Sequence, residues 1–227
     1  MVMIEEDPHF FTGFLLEWPT RAIQQEDLLL CSRLHFEGMI GDSNWERYQY
    51  YSKHALKGED LEIYSAPFRY HLLVRRSDKR MLFLSPTRRI SEYIIDKEFE
   101  VLFRPVLRKV RIAVDRLVKT MTSNPTFYVL NLVHARVPGS GTSLKTVSFY
   151  GDDVAEAPLF RELVSRMNFF TCGLKHATDG NELVRLGTEG AVSFSIGEDE
   201  KKVLEVEQVL RFLREKQYLT GYFLHKD

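Results

Sequence analysis

The chain has 227 residues, 44% hydrophobic and 28% charged, with 31 Lys and Arg against 32 Asp and Glu. That is the composition of an ordinary globular protein with material for a sizeable core, and it excludes a disordered or low-complexity chain. No apolar run approaches the ~18 residues of a membrane-spanning helix, and the opening MVMIEEDPHFF carries acids where a signal peptide carries Lys or Arg, so a cytoplasmic protein without membrane contact is expected.

In chain order, Phe10–Trp18 reads as a strand ended by Pro19, and Thr20 as the cap of a short helix over 22–30. The stretch 35–41 is glycine-punctuated and ambiguous. Trp45–Leu56 reads as a helix started by Ser43 or Asn44 and closed by Gly58. Phe68–Arg75 and Arg80–Leu84 form a hairpin around Ser77-Asp78-Lys79. Ser85-Pro86 then opens a helix over 87–96. Residues 99–103 alternate as a strand does but equally extend a helix.

Thr126–Val137 and Leu144–Tyr150 make a second hairpin around Pro138-Gly139-Ser140-Gly141, followed by a helix from Pro158 to Met167. Phe169–Lys175, Asn181–Leu186 and Ala191–Ile196 read as three short strands joined at Asp179-Gly180 and Glu189-Gly190. A helix over 198–217 follows them. Hairpin-then-helix therefore recurs three times. The pattern predicts an α+β fold of antiparallel sheets built from successive hairpins, with helices packed mainly on one face. Two parts are expected, residues 1–123 and 124–227, with one continuous domain as the alternative.

The stretch Pro105–Met121 organises the functional reading. Advanced at 100° per residue it divides into an apolar arc of Val106, Leu107, Val110, Ala113, Val114, Leu117, Val118 and Met121 and a cationic arc of Arg104, Arg108, Lys109, Arg111, Arg116 and Lys119. Ile112 is the one large apolar residue on the cationic side, and Asp115 the one acid. Charge is segregated along the chain as well. Residues 1–68 carry a net of −7, residues 69–119 a net of +8 and residues 120–227 a net of −2. Such asymmetry bears on association.

Other strings are weighed against their plainer meanings. Tyr150-Gly151-Asp152-Asp153 has the look of a paired-aspartate metal turn, but its surroundings favour an aspartate capping the next helix. Pro138–Lys145 lacks the Gly-Lys pair of a phosphate-binding loop and reads as a hairpin connection. The histidines at 9, 35, 54, 71, 134, 176 and 225 show no metal-ligand spacing, and Cys31 and Cys172 read as reduced, buried thiols. No catalytic residue, metal ligand or cofactor motif is identified.

The first reading is therefore a non-catalytic interaction or regulatory subunit that docks an acidic protein partner through the six cations. The alternative is a nucleic-acid-binding protein gripping phosphates with the same residues, with Tyr and Phe on an exposed sheet face adding base stacking. The weaker alternative is an enzyme whose site is assembled from residues distant in sequence.

Overall fold

Two short apolar runs pair residues 71–75 with 80–84 as an antiparallel hairpin, Leu72 opposite Phe83 and Val74 opposite Met81. Lys79, with φ of 54°, takes the left-handed conformation that closes the turn. The computed structural model describes residues 10–17, 28, 31–40, 44–57, 60–102, 107–124, 126–138, 146–177, 183–195 and 201–223. It is a mixed fold of helices and antiparallel strands. The chain divides into two compact units. One comprises Met1–Val110, Ser195–Leu204 and Tyr222–Asp227, the other Arg111–Phe194 and Glu205–Gly221. The expected border at residue 123 falls inside the second unit.

In the first unit, β1 (Phe10–Glu17), β2 (Leu34–Met39), β3 (Glu46–Lys57), β4 (Asp60–Arg75) and β5 (Arg80–Ser85) form a sheet in the order β2-β3-β4-β5-β1. Thr87 caps α1 (Arg88–Tyr93) by accepting from the Ile90 N–H. The helix then widens into a π-helix over Ile94–Phe99 and ends in the short α2 (Glu100–Leu102). Tyr50, Phe83 and Phe99 interlock edge to face, with ring centroids 5.0–5.9 Å apart, and seat this helical run on the sheet.

Two expectations fail here for identifiable reasons. The stretch read as a helix over 45–56 is the strand β3. Its inward face carries Glu46, Tyr48, Tyr50 and Ser52, all buried, so the spacing of two is written in polar side chains, which hydrophobic periodicity passes over. The rod Pro105–Met121 is also not one helix. Of its described residues, Arg108–Ile112 form β6, with Lys109 opposite Leu16, and Val114–Ser123 form α3. Val110 and Ile112 are both buried on the strand's inner side, which accounts for the apolar residue that did not fit the helical wheel.

In the second unit, β7 (Tyr128–Arg136), β8 (Thr146–Tyr150), β9 (Asn168–His176), β10 (Val184–Gly187) and β11 (Ala191–Ser195) follow the order β11-β10-β9-β7-β8. Phe160 of α4 (Pro158–Leu163) packs against Phe149 and Phe169. Phe212 of α5 (Lys201–Glu215) packs on Tyr128. The strand β12 (Leu219–Phe223) ends the described chain. Cys172 is buried and Cys31 half-buried, both as free thiols. Among the described residues no helix is long and apolar enough to cross a membrane. The helix expected over 22–30 and the loop Gly139–Lys145 lie outside the described residues, Leu28 excepted.

Candidate acid–base site

Two local irregularities in the first unit aim side chains at one point. The register of β3 against β4 shifts between Ser52 and His54, and the widened turn of the π-helix presents Glu98 inward. Both kinds of irregularity concentrate at sites where a side chain has to be redirected.

The Glu98 side chain is 6% exposed, and its two oxygens accept four hydrogen bonds. Oε2 takes the Arg33 Nη1 donor and the Tyr50 hydroxyl, both at 2.6 Å. Oε1 takes the Ser52 hydroxyl at 2.6 Å and lies 2.7 Å from His54 Nδ1. The four partners match the roughly four acceptor positions of an ionised carboxylate, so burial leaves no lone pair unmet. Tyr50, Ser52 and His54 stand two positions apart along β3, the last of them just past the register shift.

The carboxylate decides the state of the imidazole. An ionised carboxylate can only accept, so Nδ1 carries the proton of this contact and the second ring nitrogen, Nε2, faces away from Glu98. There the Tyr93 hydroxyl, at the last residue of α1, sits 3.1 Å from Nε2, within hydrogen-bond distance. The two rings lie 4.6 Å apart between centroids. The backbone of His54 is fixed as well. Its carbonyl accepts from the Tyr70 hydroxyl at 2.6 Å and its N–H donates to the Ser52 hydroxyl at 3.0 Å. His54 is 21% exposed at the side chain and Tyr93 is half-buried, so solvent reaches the outer end of the chain of bonds while Glu98 stays covered.

The surrounding phenols are held neutral. Burial first, and then the Glu98 carboxylate, push the Tyr50 phenol far above its ordinary value, and burial with the Glu98 charge pushes Tyr70 up to about 12. The Tyr50 hydroxyl, and behind it Glu98, hold the Arg33 guanidinium still more firmly charged. A parallel but simpler arrangement sits further along β3, where buried Glu46 accepts from Tyr48 at 2.7 Å and from Arg76 Nε at 2.6 Å.

The cations named from the sequence are divided between the two units. Arg108 and Lys109 lie on the part of β6 that belongs to the first unit, while Arg111, Arg116 and Lys119 belong to the second. Arg104 lies outside the described residues. Lys109 pairs with Asp96 at 3.1 Å and stands 4.8 Å over the Phe14 ring. Arg116 donates to the Gln217 carbonyl and lies over Tyr218, and Lys119 pairs with Asp115 at 2.9 Å. Arg108 is half-buried and Arg111 exposed. Asp153 caps a 3-10 turn by accepting from the Ala155 N–H at 3.0 Å, and Asp152 pairs with Lys175. Among the described residues no group of three or more His, Cys, Asp or Glu side chains is placed to hold a metal ion.

None of the residues converging on Glu98 was singled out in sequence. Arg33 and Glu98 lie 65 positions apart, and His54 and Glu98 lie 44 apart. The available signal was the alternation Glu46, Tyr48, Tyr50, Ser52, His54, a strand whose core-facing side is polar and therefore needs partners. No protein-family model matches the chain, and no curated protein matches it.

Proposed function

We propose that the protein is an enzyme of the acid–base class in which Tyr93, His54 and Glu98 act in series. The reading rests on one observation: a tyrosine hydroxyl lies within hydrogen-bond distance of one nitrogen of a histidine whose other nitrogen meets a buried carboxylate. This is the geometry of nucleophile or acid, base and orienting group, recognised by roles and distances rather than by order in the chain. Glu98 holds the tautomer and stabilises the imidazolium, His54 takes the phenolic proton, and the Tyr93 oxygen gains the nucleophilicity that a free phenol lacks near neutral pH. The docking-subunit reading drew its force from one cationic helix face, and that stretch is a strand followed by a shorter helix.

An aryl sulfonyl fluoride tests the assignment without a known substrate. The phenolic proton passes to His54, the oxygen bonds to sulfur, and fluoride leaves. Of the ten tyrosines, Tyr93 is expected to label first. In His54→Gln and Glu98→Gln labelling slows by at least about tenfold, in line with the usual contribution of a positioned base. Labelling spread evenly over the surface tyrosines, or unchanged in a folded His54→Gln variant, overturns the proposal.

A second reading, single-stranded nucleic acid bound by the second unit, has its own support. On β7, β8 and β9 the ring of His134 stacks on Phe170 at 6.1 Å and meets Tyr150 edge-on, Arg136 lies 5.5 Å over Phe170, and Tyr150 is 71% exposed. Rings and guanidinium planes of this kind are what unstacked bases use. A mobility-shift titration with a single-stranded oligonucleotide at two salt concentrations is expected to show affinity that Tyr150→Ala weakens. No shift at low salt excludes this reading.

A further inference from the structure

The second unit contains an open cleft of about 660 Å³ that the acid–base site does not use. Its floor is a ladder of rings. Tyr128 of β7 stands 5.3 Å from His176 at the end of β9 and 5.4 Å from Phe212 of α5, centroid to centroid. Phe127 borders the cleft and is 89% exposed. Beside this ring-lined cleft, an exposed phenylalanine extends the apolar wall that a ligand would meet. The other border is charged: Arg211 and Glu215 rise from the last turns of α5, and Lys216 directly follows it. Arg211 Nε donates to Glu215 at 3.0 Å, which leaves the rest of its five-donor fork for another acceptor. Two cations against one carboxylate give this edge a net positive charge, and burial pushes the Tyr128 phenol above its ordinary value.

We propose that this cleft binds a small planar aromatic anion, its ring stacked against Phe127 and the Tyr128–Phe212 floor and its charged group at Arg211 and Lys216. The volume falls within the range of small-molecule sites, about 300–1,000 Å³, and the combination of apolar rings with a few polar groups at one end is their usual composition. Stacking on the rings supplies affinity, and the fork of Arg211 supplies the preference for a planar anionic head.

Fluorescence titration of the full chain with two dyes tests the proposal. One is 1-anilinonaphthalene-8-sulfonate, a planar aromatic anion; the other is N-phenyl-1-naphthylamine, its uncharged counterpart. The sulfonate is expected to bind saturably at one site and the neutral dye more weakly. Phe127→Ala should weaken both by about tenfold, the scale of one lost stacking contact. Because Phe127 is almost fully exposed, its truncation leaves the fold intact. The double variant Arg211→Gln/Lys216→Gln should weaken the sulfonate alone. Equal affinity for the two dyes, or sulfonate binding unchanged in either variant, overturns the proposal.

Discussion

His54 Nδ1 and Glu98 Oε1 stand 2.7 Å apart although 44 positions separate them in the chain, and each arrives by a departure from regular backbone geometry. The contact is part of a network, so the cost of breaking it depends on what is left behind. Glu98→Ala strands the Tyr50 and Ser52 hydroxyls, both on buried residues, and removes the counter-charge from Arg33. A loss of about 3 kcal/mol is expected, the lower end for breaking a buried pair because the Arg33 side chain is 49% exposed. Glu98→Gln keeps the shape and most of the hydrogen bonds and should cost less than half as much. Urea denaturation of the three proteins checks the order.

Alkaline pH should unfold the protein through its buried phenols. Unfolded tyrosine ionises near pH 10, whereas burial and the neighbouring carboxylates raise Tyr48 and Tyr50 well beyond that, and Tyr70 to about 12. Above pH 10 the unfolded chain releases protons that the folded chain retains, so stability falls as pH rises. Below pH 10 the contribution is intact. The slope is at most about 1.4 kcal/mol per pH unit for each such tyrosine. Denaturant midpoints measured from pH 8 to 11 should hold level and then drop beyond 10, with a shallower drop in Tyr50→Phe. Phenolate absorbance should rise in two stages, the second coincident with unfolding.

Where short apolar runs are bounded by turn residues, the sequence already contained the fold. The hairpin of β4 and β5, the pair β7 and β8, and the run β9 to β11 all follow that pattern. What escaped has a common cause. β3 buries glutamate and tyrosine rather than leucine and valine, so its period of two does not register as hydrophobic. In Arg108–Met121 the apolar residues satisfy a helix and a strand almost equally well, and Ile112 was the single residue that discriminated between them. The site around Glu98 was invisible for a different reason. It depends on a register shift and a π-turn, and both arise from tertiary packing rather than from local propensity.

The close approach of β1 to β5 makes a glycine necessary at one position. Gly13 lies opposite Leu84, and a Cβ there would press into the Phe83 carbonyl and the Leu84 side chain. Backbone oxygen in a paired strand cannot rotate away, so Gly13→Ala must displace the strand. A destabilisation of at least about 1–3 kcal/mol is expected, the ordinary cost of overpacking. At Gly151, where an added Cβ meets nothing within 4 Å, the same substitution should change the thermal midpoint very little.

Asp115 separates an interaction that holds the fold from one that decorates it. Its Oδ2 accepts from Lys119 one turn along α3, at 2.9 Å, and its Oδ1 accepts from the backbone N–H of Phe169 on β9, at 3.1 Å. The first is a partly exposed i,i+4 pair, with side chains 36% and 43% exposed, and such pairs contribute about 0.3–0.5 kcal/mol. The second satisfies a backbone donor on a buried residue, and its loss costs about 1–3 kcal/mol. Asp115→Ala should therefore destabilise the protein several times more than Lys119→Ala, and Asp115→Asn, which retains an acceptor for the Phe169 N–H, should recover most of the difference. Chemical denaturation of the three variants measures this directly. Equal effects from Asp115→Ala and Lys119→Ala would mean that the ion pair, not the helix-to-strand hydrogen bond, is what Asp115 contributes.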